Sequence, residues 1–200
     1  MGKKLIRLCA FSLWALAVAC GLWMVFNYEK SPGVVLAAPA QWPLQSPVKP
    51  ASTGPTLLLF VHPQCPCTKA TIGELAILMT HCHGKLAAYV FFLSPRGFPE
   101  GWSKDSSLWK EANEIPGVRL FEDKDGEMAR YFKVMTSGQS LLYGQDGKLL
   151  FEGGITASRG HSGDNPGRSA ITSLILEGHA NRTKTDVFGC ALFNPSMMRN

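Results

Sequence analysis

The sequence is short of charge. Lysine and arginine number 20 and aspartate and glutamate 15 among 200 residues, for a net charge of +5. Three of those charges come from Lys3, Lys4 and Arg7, which leaves +2 for the rest of the chain. No basic stripe with interleaved aromatics is present, so a nucleic-acid surface is excluded. No internal repeat recurs, which excludes a solenoid. The apolar share of 46% is ordinary for a globular protein. A sizeable core is therefore expected, in one domain with room for an appendage.

Charge is missing altogether from Leu8 to Phe26. At about 1.5 Å rise per residue a helix of that length crosses the hydrocarbon core of a bilayer. Basic residues precede it and Glu29 and Lys30 follow, so the positive-inside rule places residues 1–7 in the cytoplasm and the rest outside. Residues 8–27 are then a transmembrane anchor. Two alternatives put the domain on the same side. A signal peptide cleaved near Ala38-Pro39-Ala40 would need a shorter apolar region, and a lipoprotein modified at Cys20 would have apolar residues running on past its cysteine.

Prolines at 32, 39, 43, 47, 50 and 55 mark residues 28–55 as an extended, semi-rigid tether. An edge of the folded domain is the other reading for Trp42 to Val48. Thr56 to Val61 then fits a buried strand. Ile72, Leu75, Ala76 and Met79 give helical spacing closed at Gly84, and Leu86 to Leu93 is a second buried strand. A helix over 106–115, a strand over 117–121 and a short helix over 127–132 follow. Strands at 140–143 and 149–151 flank an Asp146-Gly147 turn, and a last helix covers 168–176 after Asn165-Pro166. The predicted class is α/β, a βαβ unit followed by a ββα unit over residues 56–180. Residues 181–200 form a C-terminal extension containing Cys190.

Between the first strand and first helix lies His62-Pro63-Gln64-Cys65-Pro66-Cys67. A helix N-terminus carries partial positive charge and free N–H groups, and both stabilise a thiolate, the reactive form of cysteine. Pro66 suits a first helical position, where its missing N–H has no partner anyway. The chain resembles the thioredoxin-like superfamily here, over residues 56–180. The cysteine turn and the stretch from Gly153-Gly154-Ile155-Thr156 to Gly163-Asp164-Asn165 resemble its membrane-anchored, RedB-like branch. The resemblance implies thiol–disulfide chemistry at Cys65 and Cys67 and a protein thiol or disulfide as client. Two departures stand out. The spacing is Cys-x-Cys, not Cys-x-x-Cys, and Gly138 occupies the position of the family's cis-proline, which normally shapes the client groove and keeps metals off the thiols.

Cys65 is the expected attacking thiolate and Cys67 the resolving thiol, with the reverse assignment open. Together they are expected to form a reversible, relatively oxidising disulfide. His161, Arg159 and Asp164, on the loop after the last strand, are expected to border the cysteine turn, with protonated His161 favouring the thiolate. Cys82 and Cys190 are candidates for a structural disulfide, or Cys190 for a resolving partner. His81-Cys82-His83 lies about 21 Å along the helix from Cys67, so the two groups cannot share a metal in one chain. No cofactor is expected in the leading reading, a membrane-anchored thiol–disulfide oxidoreductase. The alternatives are a Cu(I) site on Cys65 and Cys67 with His62 or His161 nearby, and a binding module whose cysteines are structural.

Overall fold

The structure, a computed structural model, describes residues 2–82 and 84–193. His83 of the histidine–cysteine cluster and residues 194–200 of the C-terminal extension lie outside them.

Helix α1 (Gly2–Lys30) contains the apolar stretch and buries none of its residues. It is long and apolar enough to cross a membrane, with a mean hydropathy of 2.1 in its most apolar window. The domain is built on β1 (Thr56–Val61), all six of whose residues are buried. Strand β1 runs parallel to β2 (Ala87–Ser94), and β2 runs parallel to β3 (Val118–Lys124). On its other side β1 is antiparallel to β4 (Gln139–Tyr143), which is antiparallel to β5 (Leu149–Gly154). The sheet order β3-β2-β1-β4-β5, with its βαβ and ββα halves, is the thioredoxin-like fold.

Helices α2 (Pro66–Cys82), α3 (Ser107–Asn113) and α5 (Pro166–Leu176) supply the core on one face. The short α4 (Glu127–Tyr131) joins a second core on the other. Strand β1 serves both: Leu57, Leu59 and Val61 point into the first core, Leu58 and Phe60 into the second. Alternate residues of a strand face opposite sides, so a strand covered on both reads as an unbroken apolar run.

Strand β3 extends three residues past its expected end because Glu122, Asp123 and Lys124 still pair with Phe92, Leu93 and Ser94. Asp123 is buried there and accepts the Met128 and Ala129 N–H groups at 2.7 and 3.0 Å, capping α4. Burial outweighs those bonds and raises its carboxyl to about 6. A raised folded-state value means that protonation stabilises the fold. The contribution is complete below about pH 4 and is lost as pH rises through 6. Urea titrations should show up to about 3 kcal/mol less stability from this group at pH 7 than at pH 4. Asp123→Asn should flatten that slope, and an unchanged slope would assign it to other groups.

The tether does not stand clear of the domain. Trp42 is buried against Phe132 and Tyr143, with ring centroids 5.2 Å from each. The Gly33 N–H donates to the Val187 carbonyl, the Trp42 N–H to Gly147 and the Leu149 N–H to Ala40. The folded unit therefore starts near Gly33 rather than Thr56. Burial of an indole decides this, since a tryptophan in a solvated linker would leave its large apolar surface in water. The described part of the C-terminal extension is likewise part of the fold. Thr183 and Thr185 bond Glu152 of β5, and Leu192 and Phe193 enter the second core.

Candidate functional site

The site is where the C-terminal end of β1 meets the start of α2. The His62 N–H donates to Ser137 Oγ at 2.9 Å, and Ser137 Oγ lies 3.0 Å from the Thr68 hydroxyl. This ties the end of β1, the first turn of α2 and the approach to β4 into one corner. Cys65 precedes the helix, Pro66 is its first residue and Cys67 its second, as the missing proline N–H allows. Cys65 is 2% exposed and Cys67 8%.

A third sulfur completes the corner. The Cys190 N–H donates to Cys65 Sγ at 3.4 Å, and the Cys190 thiol donates to the same atom. Burial works against a Cys65 thiolate. The two bonds from Cys190, with others from the Cys67 N–H and the Thr68 hydroxyl, outweigh it and hold Cys65 below the ordinary thiol value. Cys67 is raised, by burial first and then by the charge on Cys65, with Arg159 pulling the other way. Cys190 is pushed up to about 12, by burial and by its bond to Cys65. One thiol of the three is thus prepared to ionise, and it is Cys65. No disulfide joins any of the six cysteines in this structure.

Of the loop residues, Arg159 reaches the site. Its guanidinium lies near enough to the Cys67 sulfur to pull that thiol down, donates to the Gly189 carbonyl at 2.6 Å and to the Ser31 carbonyl at 3.1 Å, and lies 5.0 Å over the Tyr28 ring. His161 does not serve as expected. It is half exposed and faces Glu29 at the end of α1, 3.4 Å away. Asp164 is fully exposed, and its ion-pair partner is Arg168, not a cysteine. The loop does border the thiols, because β5 runs parallel to β1, but its arginine supplies the charge. Arg159→Ala should therefore raise the Cys67 thiol further, while His161→Ala should leave every cysteine where it is. Alkylation against pH, read by peptide mass spectrometry, checks both, and the opposite pattern would restore the histidine to the role.

His62 is held neutral by burial. Its Nδ1 accepts the Gln64 N–H at 3.1 Å and its ring meets the Trp102 edge. His161 faces Glu29 rather than the thiols. Among the described residues no group of three or more His, Cys, Asp or Glu side chains is placed to hold a metal ion. Gly138 lies just before β4 with φ +90 and donates its N–H to the Phe60 carbonyl at 2.7 Å. Proline, fixed near φ −65°, could not take that conformation. Cys82 is fully buried in the first core at the far end of α2. With Cys190 at the helix start, a Cys82–Cys190 disulfide is ruled out by roughly the length of the helix.

The sequence reading missed Glu74. It is fully buried on α2, accepts the Gly163 N–H at 2.7 Å and the Asn165 amide at 3.0 Å, and pairs with Arg168. It anchors the loop that carries Arg159. The available signal was a glutamate in helical step with Thr71, Leu75 and Leu78 on the buried face. Thr68 and Ser137 were also missed, and no local pattern marks either.

No protein-family model and no curated protein matches the chain. Among solved structures, an uncharacterized conserved protein of Geobacillus kaustophilus is similar over 84% of this chain and 95% of its own, at 20% identity and a TM-score of 0.58. A hypothetical protein of Sinorhizobium meliloti 1021 is similar over 70% of this chain and 80% of its own, at 17% identity and 0.55. A secreted Mycobacterium tuberculosis disulfide oxidoreductase homologous to E. coli DsbE matches over 62% and 81%, at 14% identity and 0.44.

Proposed function

We propose that this chain is a thiol–disulfide oxidoreductase anchored by α1, with its domain on the outer side of the cytoplasmic membrane. The observation that carries the reading is the differential preparation of the cysteines, with Cys65 held below the ordinary thiol value and Cys67 and Cys190 above it. A structural cysteine cluster has no need of one stabilised thiolate. In the reducing direction the Cys65 thiolate attacks a client disulfide, the client's other sulfur leaves as a thiolate, and a mixed disulfide forms. A second thiol must then attack Cys65 Sγ to free the client. Two stand in position, Cys67 and Cys190. Read backwards, the same steps oxidise a client dithiol. The sulfurs carry the electrons, so no cofactor is needed. The basic residues before α1 support the outward orientation, and the RedB-like resemblance of the cysteine turn agrees with it.

The test uses the reduced full-length chain in detergent micelles, mixed with oxidised glutathione across pH 5–9. Peptide mapping should find the first adduct at Cys65, forming faster than on Cys67 or Cys190. Uniform labelling of the three would defeat the reading. Stoichiometric retention of added copper with no exchange would favour the metal-handling alternative.

A further inference from the structure

Residues 183–193 run along β5, cross its end and return beside the loop that leads into β4. The Ser137 N–H donates to the Cys190 carbonyl at 2.8 Å, and the Leu192 N–H donates to Met135 at 2.8 Å. Thr136 and Ala191 form an antiparallel bridge between them. This strap is seated by its flanks. Gly189 packs so closely on Ser137 that a Cβ there would fall inside the Ser137 carbonyl oxygen, and Leu192 and Phe193 are buried. Cys190 is thereby carried to Cys65 across 125 residues of sequence, its backbone N–H on Cys65 Sγ.

From this geometry we infer that Cys190, rather than Cys67, resolves the mixed disulfide, so that the oxidised protein carries a Cys65–Cys190 bridge. The inference rests on the exchange reading above. The Cys67 thiol also lies close to Cys65, but a Cys65–Cys67 bridge would close a tight ring around Pro66 that can hardly meet disulfide geometry. Cys190 lies outside the helix, beside the Thr136–Ala191 bridge, and meets the sulfur with no such constraint.

The order of events follows from the same contacts. While Cys65 is a thiolate, Cys190 keeps its proton and donates a bond to it. Once Cys65 is capped by a client, that acceptor and its charge are gone, so Cys190 ionises more readily. Its sulfur then attacks Cys65 Sγ, the bond between Cys65 and the client sulfur breaks, and the client sulfur leaves with the proton from Cys190. The two protein thiols have lost two electrons, and the client disulfide has gained them. Because Cys65 is almost wholly covered, the strap must lift to admit a client and return to release it.

The experiment follows glutathione on the full-length chain in micelles after a pulse of oxidised glutathione. Wild type and Cys67→Ser should both end in the Cys65–Cys190 bridge. Cys190→Ser should hold glutathione on Cys65 at least tenfold longer. Gly189→Ala, which keeps every thiol and unseats the strap, should speed the first adduct and slow its release. If Cys190→Ser instead clears glutathione at the wild-type rate through a Cys65–Cys67 bridge, the inference is wrong while the exchange function stands. If Cys65→Ser takes up glutathione as fast as wild type, the exchange function itself falls.

Discussion

Replacing Cys65 by serine should reduce disulfide exchange by about 1,000-fold or more, the scale on which enzymes lose rate when a nucleophile is removed. A serine hydroxyl fits the space and can accept the same hydrogen bonds. It does not ionise near neutral pH and cannot form a disulfide, so the loss is chemical and not structural. The variant should fold as wild type does, which far-UV circular dichroism can confirm beside the kinetics. The pH profile adds a second check. The wild-type rate should rise with pH and level off below the ordinary thiol value of 9.0, because Cys65 is held beneath it. A rate that goes on climbing through pH 9 would mean that an ordinary thiol carries the reaction. A Cys65→Ser chain that retains exchange would move the attack to another cysteine.

The second large effect is expected at Arg168. Its guanidinium pairs with Glu74, which has no solvent exposure at all, while the Arg168 side chain is 11% exposed. Arg168→Leu should cost about 3–5 kcal/mol, because it leaves a carboxylate buried without its counter-charge. Glu74→Leu alone should be comparably costly. It frees the Gly163 N–H and the Asn165 amide as well as the arginine. Joined in one chain, the two substitutions should recover much of the loss, since a buried pair replaced by apolar groups is often close to neutral. A double-mutant cycle by urea unfolding measures this. Additive losses would show that the two residues act separately. The pair also bears on the chemistry. Asn165 caps α5 by accepting the Arg168 N–H at 2.8 Å, and Glu74 holds the loop that delivers Arg159. The weakened single variants should therefore also show a higher Cys67 thiol.

Much of this was legible along the chain. The long apolar helix α1 was written in an uncharged run with basic residues before it. The strands β1 and β2 showed as apolar runs because both of their faces are covered. The cysteine turn announced itself by falling between a strand and a helix, where a proline at 66 suits the helix start. Asn165-Pro166 marked the start of α5, and the structure places Asn165 at its cap. These are local signals, carried by neighbours within a few residues, and a linear reading can find them.

Tertiary structure decided the rest. Strand order turned a loop expected beside the thiols into one that presents Arg159 and faces His161 toward Glu29, a choice of side-chain direction that spacing does not encode. The proline-rich segment was drawn onto the domain because Phe132 and Tyr143 offer the Trp42 indole a place to bury. Cys190 and Cys65 stand together although nothing near either in sequence points to the other. Their meeting depends on the path of the whole sheet and on a glycine that lets two backbones touch. The composition and periodicity of the chain determined an α/β domain behind a long apolar helix, with a cysteine turn at a helix start. Which charges and which third thiol surround that turn depended on contacts 90 and more residues apart in sequence, and only the packed fold brings such residues together.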